Sequence, residues 1–202
     1  MTRKTSYGER GDLTAIDRLG VWLSVRQVRR RAGPSSRRRI IDIGCGYDAR
    51  LLRELSEHAL SAVAVDVSLS PALRAAGIQT REGRLPDALV GLADETFDLI
   101  ACINVLEHIG DPGATLQHIR RLLAPGGVAL INVPTWAGKR ALEFSAFRFG
   151  LSPRDEINDH KCYYDPRDLW PLLVAAGFEP SNIRCFRHKL RLNTFAVCRA
   201  PR

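Results

Sequence analysis

Ile40-Ile41-Asp42-Ile43-Gly44-Cys45-Gly46-Tyr47-Asp48-Ala49 is the stretch that decides the fold. A short apolar run enters two glycines one residue apart, and the chain beyond reads as a helix over about 49–57. Such a strand, glycine turn and helix bring backbone N–H groups and a helix N-terminus against a ligand, because glycine removes the side chain that would block approach. Ligands of open α/β sheets bind there, outside the carboxyl ends of the strands.

Outward from the turn the pattern alternates. Strands are predicted at 39–43, 61–66, 78–81, 97–103 and 128–133, with helices at 49–57, 71–76 and 112–123. Alternating strands and helices need crossover connections, hence a doubly wound, mostly parallel sheet with helices on both faces. A helix at 166–176 stops at Gly177, and two strand-like runs at 182–188 and 192–199 lie close enough to form an antiparallel hairpin. Residues 136–165 have no clean period and read as an insertion. Before the turn, an amphipathic helix over about 13–31 is stopped by Gly33-Pro34. The chain therefore divides into a basic helix and linker, 1–36, and one α/β domain, 37–202.

The formal charge of +8 is concentrated. Residues 1–39 carry eleven Lys/Arg against Glu9, Asp12 and Asp17, whereas the remaining 163 residues balance 19 basic against 19 acidic side chains. A neutral body argues against a broad nucleic-acid footprint. The basic helix with Trp22 implies instead peripheral contact with an anionic membrane, or a lipid-linked or phosphorylated sugar as substrate; a solvated helix face explains the charge equally. Five scattered cysteines form no C-x-x-C pair, which implies neither zinc nor disulfides and suits a reducing cytoplasm. No apolar run approaches the ~20 residues of a membrane span.

Asp66 closes the second strand about 20 residues past the turn, where a carboxylate accepts hydrogen bonds from ribose hydroxyls. A nucleoside ligand follows. Two enzyme classes share these features, because Gly44-x-Gly46-x-x-Ala49 also satisfies the fingerprint of an NAD(P)-dependent oxidoreductase. Asp42 leans the other way. Two residues before Gly44, its carboxylate would repel a pyrophosphate, but it suits a ligand that carries an ammonium and a sulfonium.

Asp42-Ile-Gly44-Cys-Gly46, Val65-Asp66, Thr96-Phe97-Asp98-Leu-Ile100, Asn104-Val-Leu-Glu107-His108-Ile109 and Leu123-Ala-Pro125-Gly126-Gly127 occur in the order and spacing of one family. Over about residues 38–134 the chain resembles the class I S-adenosylmethionine-dependent methyltransferases. The resemblance implies a Rossmann-like seven-stranded sheet whose last strand is antiparallel, and S-adenosylmethionine as cofactor; the neutral body with one aromatic insertion favours methyl transfer to a hydroxyl of a small molecule. By the same resemblance, Gly44 and Gly46 pass under the methionine moiety, Asp42 helps orient its amino group and Asp66 holds the ribose. Glu82 and Gly83 stand where the adenine is met, and Asn104 lies at the methyl end.

Asp48 stands where the family has a third glycine and reads as the N-cap of the following helix. His108 is a candidate general base, since imidazole titrates near neutrality; a histidine merely hydrogen-bonded at a helix start is the other reading. A related quinone-precursor O-methyltransferase group has a Glu-x-x-Glu-His metal site here, but the first position is Asn104, so no metal is expected. Trp136, Phe144, Phe147, Phe149, His160, Tyr163 and Tyr164 make the insertion aromatic, as in a lid over an acceptor, with His160 the second candidate base or substrate contact. The same aromatics could simply pack that segment onto the sheet. A methyltransferase-like protein that binds without turnover is the remaining alternative.

Overall fold

Ile40 and Ile41 are both fully buried, yet they belong to different cores. Successive side chains of a strand point to opposite faces, so a strand apolar at both must be covered on both sides. The computed structural model describes residues 6–9, 15–33, 37–139 and 161–202. Its elements run α1 (Ala15–Ala32), β1 (Arg39–Ile43), α2 (Arg50–Ser56), β2 (Ser61–Asp66), α3 (Ala72–Ala75) and β3 (Gln79–Glu82). Then follow β4 (Phe97–Ile103), α4 (Pro112–Leu122), β5 (Leu123–Pro134), α5 (Pro166–Ala175), β6 (Ile183–His188) and β7 (Asn193–Arg199).

The strands form one seven-stranded sheet in the order β3-β2-β1-β4-β5-β7-β6. β1 pairs in parallel with both β2 and β4, and the chain winds outward from it in opposite directions, which opens a crevice at their carboxyl ends. β7 is antiparallel to β5 and to β6. The Rossmann-like sheet with an antiparallel C-terminal hairpin is thus the one expected.

Helices α1, α2 and α3 cover one face, where Val28, Leu52 and Leu73 meet Ile40, Leu99 and Leu130. Helices α4 and α5 cover the other, where Leu116, Ile119, Leu169 and Leu173 meet Ile41, Ile100 and Ile131. At the opposite end from the crevice, Arg39 grips Asp98 with Nε at 3.1 Å and a terminal nitrogen at 2.8 Å. That two-point bond holds the Asp98 carboxyl below the usual carboxylate range and ties β1 to β4.

Helix α1 is built into the domain: Val25, Val28 and Ala32 are buried against the sheet, while Leu19 and Trp22 remain 56% and 53% exposed. None of the described helices is long and apolar enough to cross a membrane.

Two local expectations are corrected. Asp48 does not cap α2; Ala49 holds the N-cap position at φ 44° with no side-chain cap, because the chain leaves the turn in a left-handed conformation one residue later. The strand expected at 128–133 begins earlier, with Pro125-Gly126-Gly127 inside β5, which pairs Phe97 with Leu123 and then Leu99 with Val128. An irregularity in register absorbs the extra residues.

Candidate active site

The glycine turn starts where β1 ends. Gly44 donates its N–H to Val65 O at 2.7 Å, which folds the turn over the end of β2. Its φ is +71°, and a Cβ there would lie 2.3 Å from Val105 Cγ2, so both backbone and space demand glycine. Gly46, at φ +75°, donates its N–H to Asp66 Oδ2 at 2.8 Å. The sequence neighbours of the turn are thereby locked to a carboxylate 20 residues away.

A cavity of about 180 Å³ opens in front of the turn, lined among others by Gly44, Asp66, Gly83, Asn104, Val105 and His108. Five of the residues predicted from sequence therefore converge on one space. Gly83 is brought there by its N–H bond to Asp66 O at 2.9 Å. Glu82 ends β3 and is solvent-exposed outside the cavity lining. Asp42 is 2% exposed and lies beneath the turn. Burial, with a contribution from the nearby Asp66 charge, pushes its carboxyl up to about 8.

At the other end of the cavity, Asn104 takes the left-handed conformation at φ 58°, which asparagine tolerates better than most residues. Its N–H donates to Asn132 O at 2.8 Å, and its Oδ1 accepts from Asn132 Nδ2 at 2.6 Å and Asn193 Nδ2 at 3.3 Å. The β5 strand and the β6–β7 hairpin thus set this residue's direction. His108 follows in the turn Leu106–His108 and faces the cavity. Lys161 joins it there, its N–H on Glu107 O at 2.7 Å.

His160, Phe144, Phe147 and Phe149 lie outside the described residues. The ends of the insertion do meet: Trp136 packs on Tyr163 with ring centroids 5.5 Å apart, and Lys139 sits over both rings. Among the described residues, no three His, Cys, Asp or Glu side chains gather as a metal-binding group.

Sequence reasoning missed Tyr7, Lys161 and Asn132. Tyr7 lines the cavity from the basic N-terminal segment, with its carbonyl accepting from Tyr47 N–H at 2.9 Å. Nothing local marks it. Asn132 did carry a signal, being a fully buried polar residue within an apolar strand, which requires a hydrogen-bond partner.

The glycines whose added side chain would meet a wall, the carboxylate at the end of β2 and the polar group at the end of β4 fit a nucleoside-bearing ligand. A family model described as a methyltransferase domain matches residues 21–182. The chain belongs to this methyltransferase family. It is an S-adenosylmethionine-dependent enzyme of class I, and the dinucleotide reading of the turn is set aside. The methyltransferase is 25% identical over 175 residues to a ubiquinone biosynthesis O-methyltransferase of Ralstonia nicotianae, a match that covers 81% of this chain and 72% of that one. A ubiquinone biosynthesis O-methyltransferase of Pseudomonas aeruginosa is 28% identical over 171 residues, covering 80% and 72%. In fold it is similar to the methyltransferase solved with the Haloferax volcanii Trm112 activator, at a TM-score of 0.68 and 15% identity over 90% of both chains.

Proposed function

We propose that this methyltransferase moves a methyl group from S-adenosylmethionine to a hydroxyl oxygen of a small molecule, with His108 taking the hydroxyl proton. The observation that supports this is one cavity shared by Gly44 and Asp66 at one end and His108 at the other. Methyl transfer is an in-line displacement at a sulfonium carbon, so alignment and exclusion of water do most of the work. In this reading Gly44 and Gly46 present backbone under the methionine part, Asp66 holds the ribose, and Gly83, with Glu82 beside it, flanks the adenine. Asn104, held by Asn132, shapes the methyl end, and Asp42 acts from below through the turn. Lys161 lines the acceptor's side, and His160 is the second candidate contact with the acceptor.

The relatives named for ubiquinone biosynthesis make intermediates of that pathway the first acceptors to try. Sugar or lipid-linked sugar acceptors come second, since these relatives are named for a different pathway. The test is single-turnover methylation of such an acceptor. With His108→Gln, turnover should fall about 100-fold while adenosylhomocysteine affinity stays within twofold. Unchanged turnover would remove His108 from the chemistry.

The outward face of α1 supports a peripheral contact with anionic lipid. Leu19 and Trp22 are half exposed there, and Arg26 lies 5.5 Å over the Trp22 ring. Because Val25 and Val28 belong to the core, the test is Trp22→Ala with Arg26→Glu rather than removal of the helix. Co-sedimentation with phosphatidylglycerol vesicles should drop several-fold.

A further inference from the structure

Ser6 lies 60 residues from Asp66 in sequence and is 5% exposed. Its Oγ is 2.5 Å from Asp66 Oδ1, 2.6 Å from Ser68 O, and accepts from Ser68 N–H at 3.0 Å. A hydroxyl has one proton. At 2.5 Å from a carboxylate oxygen the proton belongs on that contact, within the range of charge-assisted O–H···O⁻ bonds. Residues 6–9 close into a small turn, with Ser6 N–H on Glu9 Oε2 at 2.9 Å and Glu9 N–H on Ser6 O at 3.3 Å. Tyr7 O, on Tyr47 N–H, moors this strap over the glycine turn.

An ionised carboxylate offers about four acceptor sites, two on each oxygen. Oδ1 already serves Val67 N–H at 2.7 Å and the Ser6 hydroxyl, and Oδ2 serves Gly46 N–H at 2.8 Å. One site is left, whereas a ribose that uses both of its hydroxyls needs two. The Gly46 and Val67 amides are held by the sheet end, so the group able to yield is Ser6.

We infer that the Ser6–Glu9 strap is a gate on the cofactor site, in which the Ser6 hydroxyl competes with a ribose hydroxyl for Asp66 Oδ1 and is displaced when the nucleoside binds. The inference rests on Asp66 being the ribose ligand. Binding then couples the position of the N-terminal segment, and of the Tyr7 wall, to occupancy of the site.

The test is calorimetric titration of the whole protein and of Ser6→Ala with adenosylhomocysteine and its 2′-deoxy and 3′-deoxy counterparts. Ser6→Ala should bind adenosylhomocysteine about fivefold tighter, the worth of one lost competing hydrogen bond. That gain should vanish for at least one deoxy analogue, which no longer needs the second acceptor site. Equal or weaker binding by Ser6→Ala, or the same gain with all three ligands, overturns the gate. Should Ser6→Ala melt without ligand, Ser6→Cys keeps the side chain with a weaker donor and should gain about twofold. Wild-type affinity in Asp66→Ala would instead strike the ribose role itself.

Discussion

The two ends of the cavity are built differently. At the β1 and β2 end the cavity is faced chiefly by backbone at Gly44 and the Asp66 carboxylate, 22 residues apart in sequence, with Gly83 and Tyr7 beside them. At the β4 and β5 end they are side chains, and Asn104 is aimed by Asn132 and by Asn193, 28 and 89 residues away. The first end rests mainly on short-range chain geometry, and in the proposed reading it takes the cofactor common to the family. The second depends on where β5, the hairpin and the insertion place their residues, and so is free to differ between acceptors.

Substitutions should separate the two ends by what they damage. Asp66→Ala should be the most severe at the cofactor end, weakening adenosylhomocysteine binding by at least about 100-fold in calorimetry, since charge-assisted bonds to the ribose are lost together. Gly44→Ala should cost about 3 kcal/mol in denaturant unfolding, from a left-handed φ and the collision with Val105. Adding Val105→Ala should recover part of that loss, and additive losses would mean the collision is relieved elsewhere.

At the acceptor end, Asn132→Leu should lower kcat about tenfold with cofactor affinity nearly unchanged, because Asn104 loses the bonds that direct it. If cofactor affinity falls equally, the two ends are not separable. A pH-dependent effect concerns Asp42. With its carboxyl at about 8 in the fold and about 4 unfolded, the native state keeps a proton that the unfolded chain releases between those values. Stability should therefore fall as pH rises from about 4 to 8, by up to ~1.4 kcal/mol per unit, and level off above. Asp42→Asn should flatten that slope in melts taken across the range.

Much of the frame was legible because it is written in short-range patterns. The run Ile40–Ile43 into Gly44 and Gly46 signals a buried strand and a close backbone approach, and Asp66 follows at a spacing set by one helix and one strand. Asp48 was misread because cap propensity is one residue less decisive than the path of the turn, which left Ala49 in the capping position. Glu82 lies at the right strand end but outside the cavity lining, since a sequence position does not say which way a side chain at a strand's last residue turns.

The sequence by itself determined the sheet class, the order of its elements and the glycine turn at the cavity, because alternating burial and glycine turns act between neighbours in the chain. Only the tertiary structure decided that Ser6 sits on Asp66, that Tyr7 walls the cavity and that Asn132 aims Asn104. Those contacts span 28 to 60 residues and bring together groups whose partners no local pattern names, so they exist only once the sheet has closed its register.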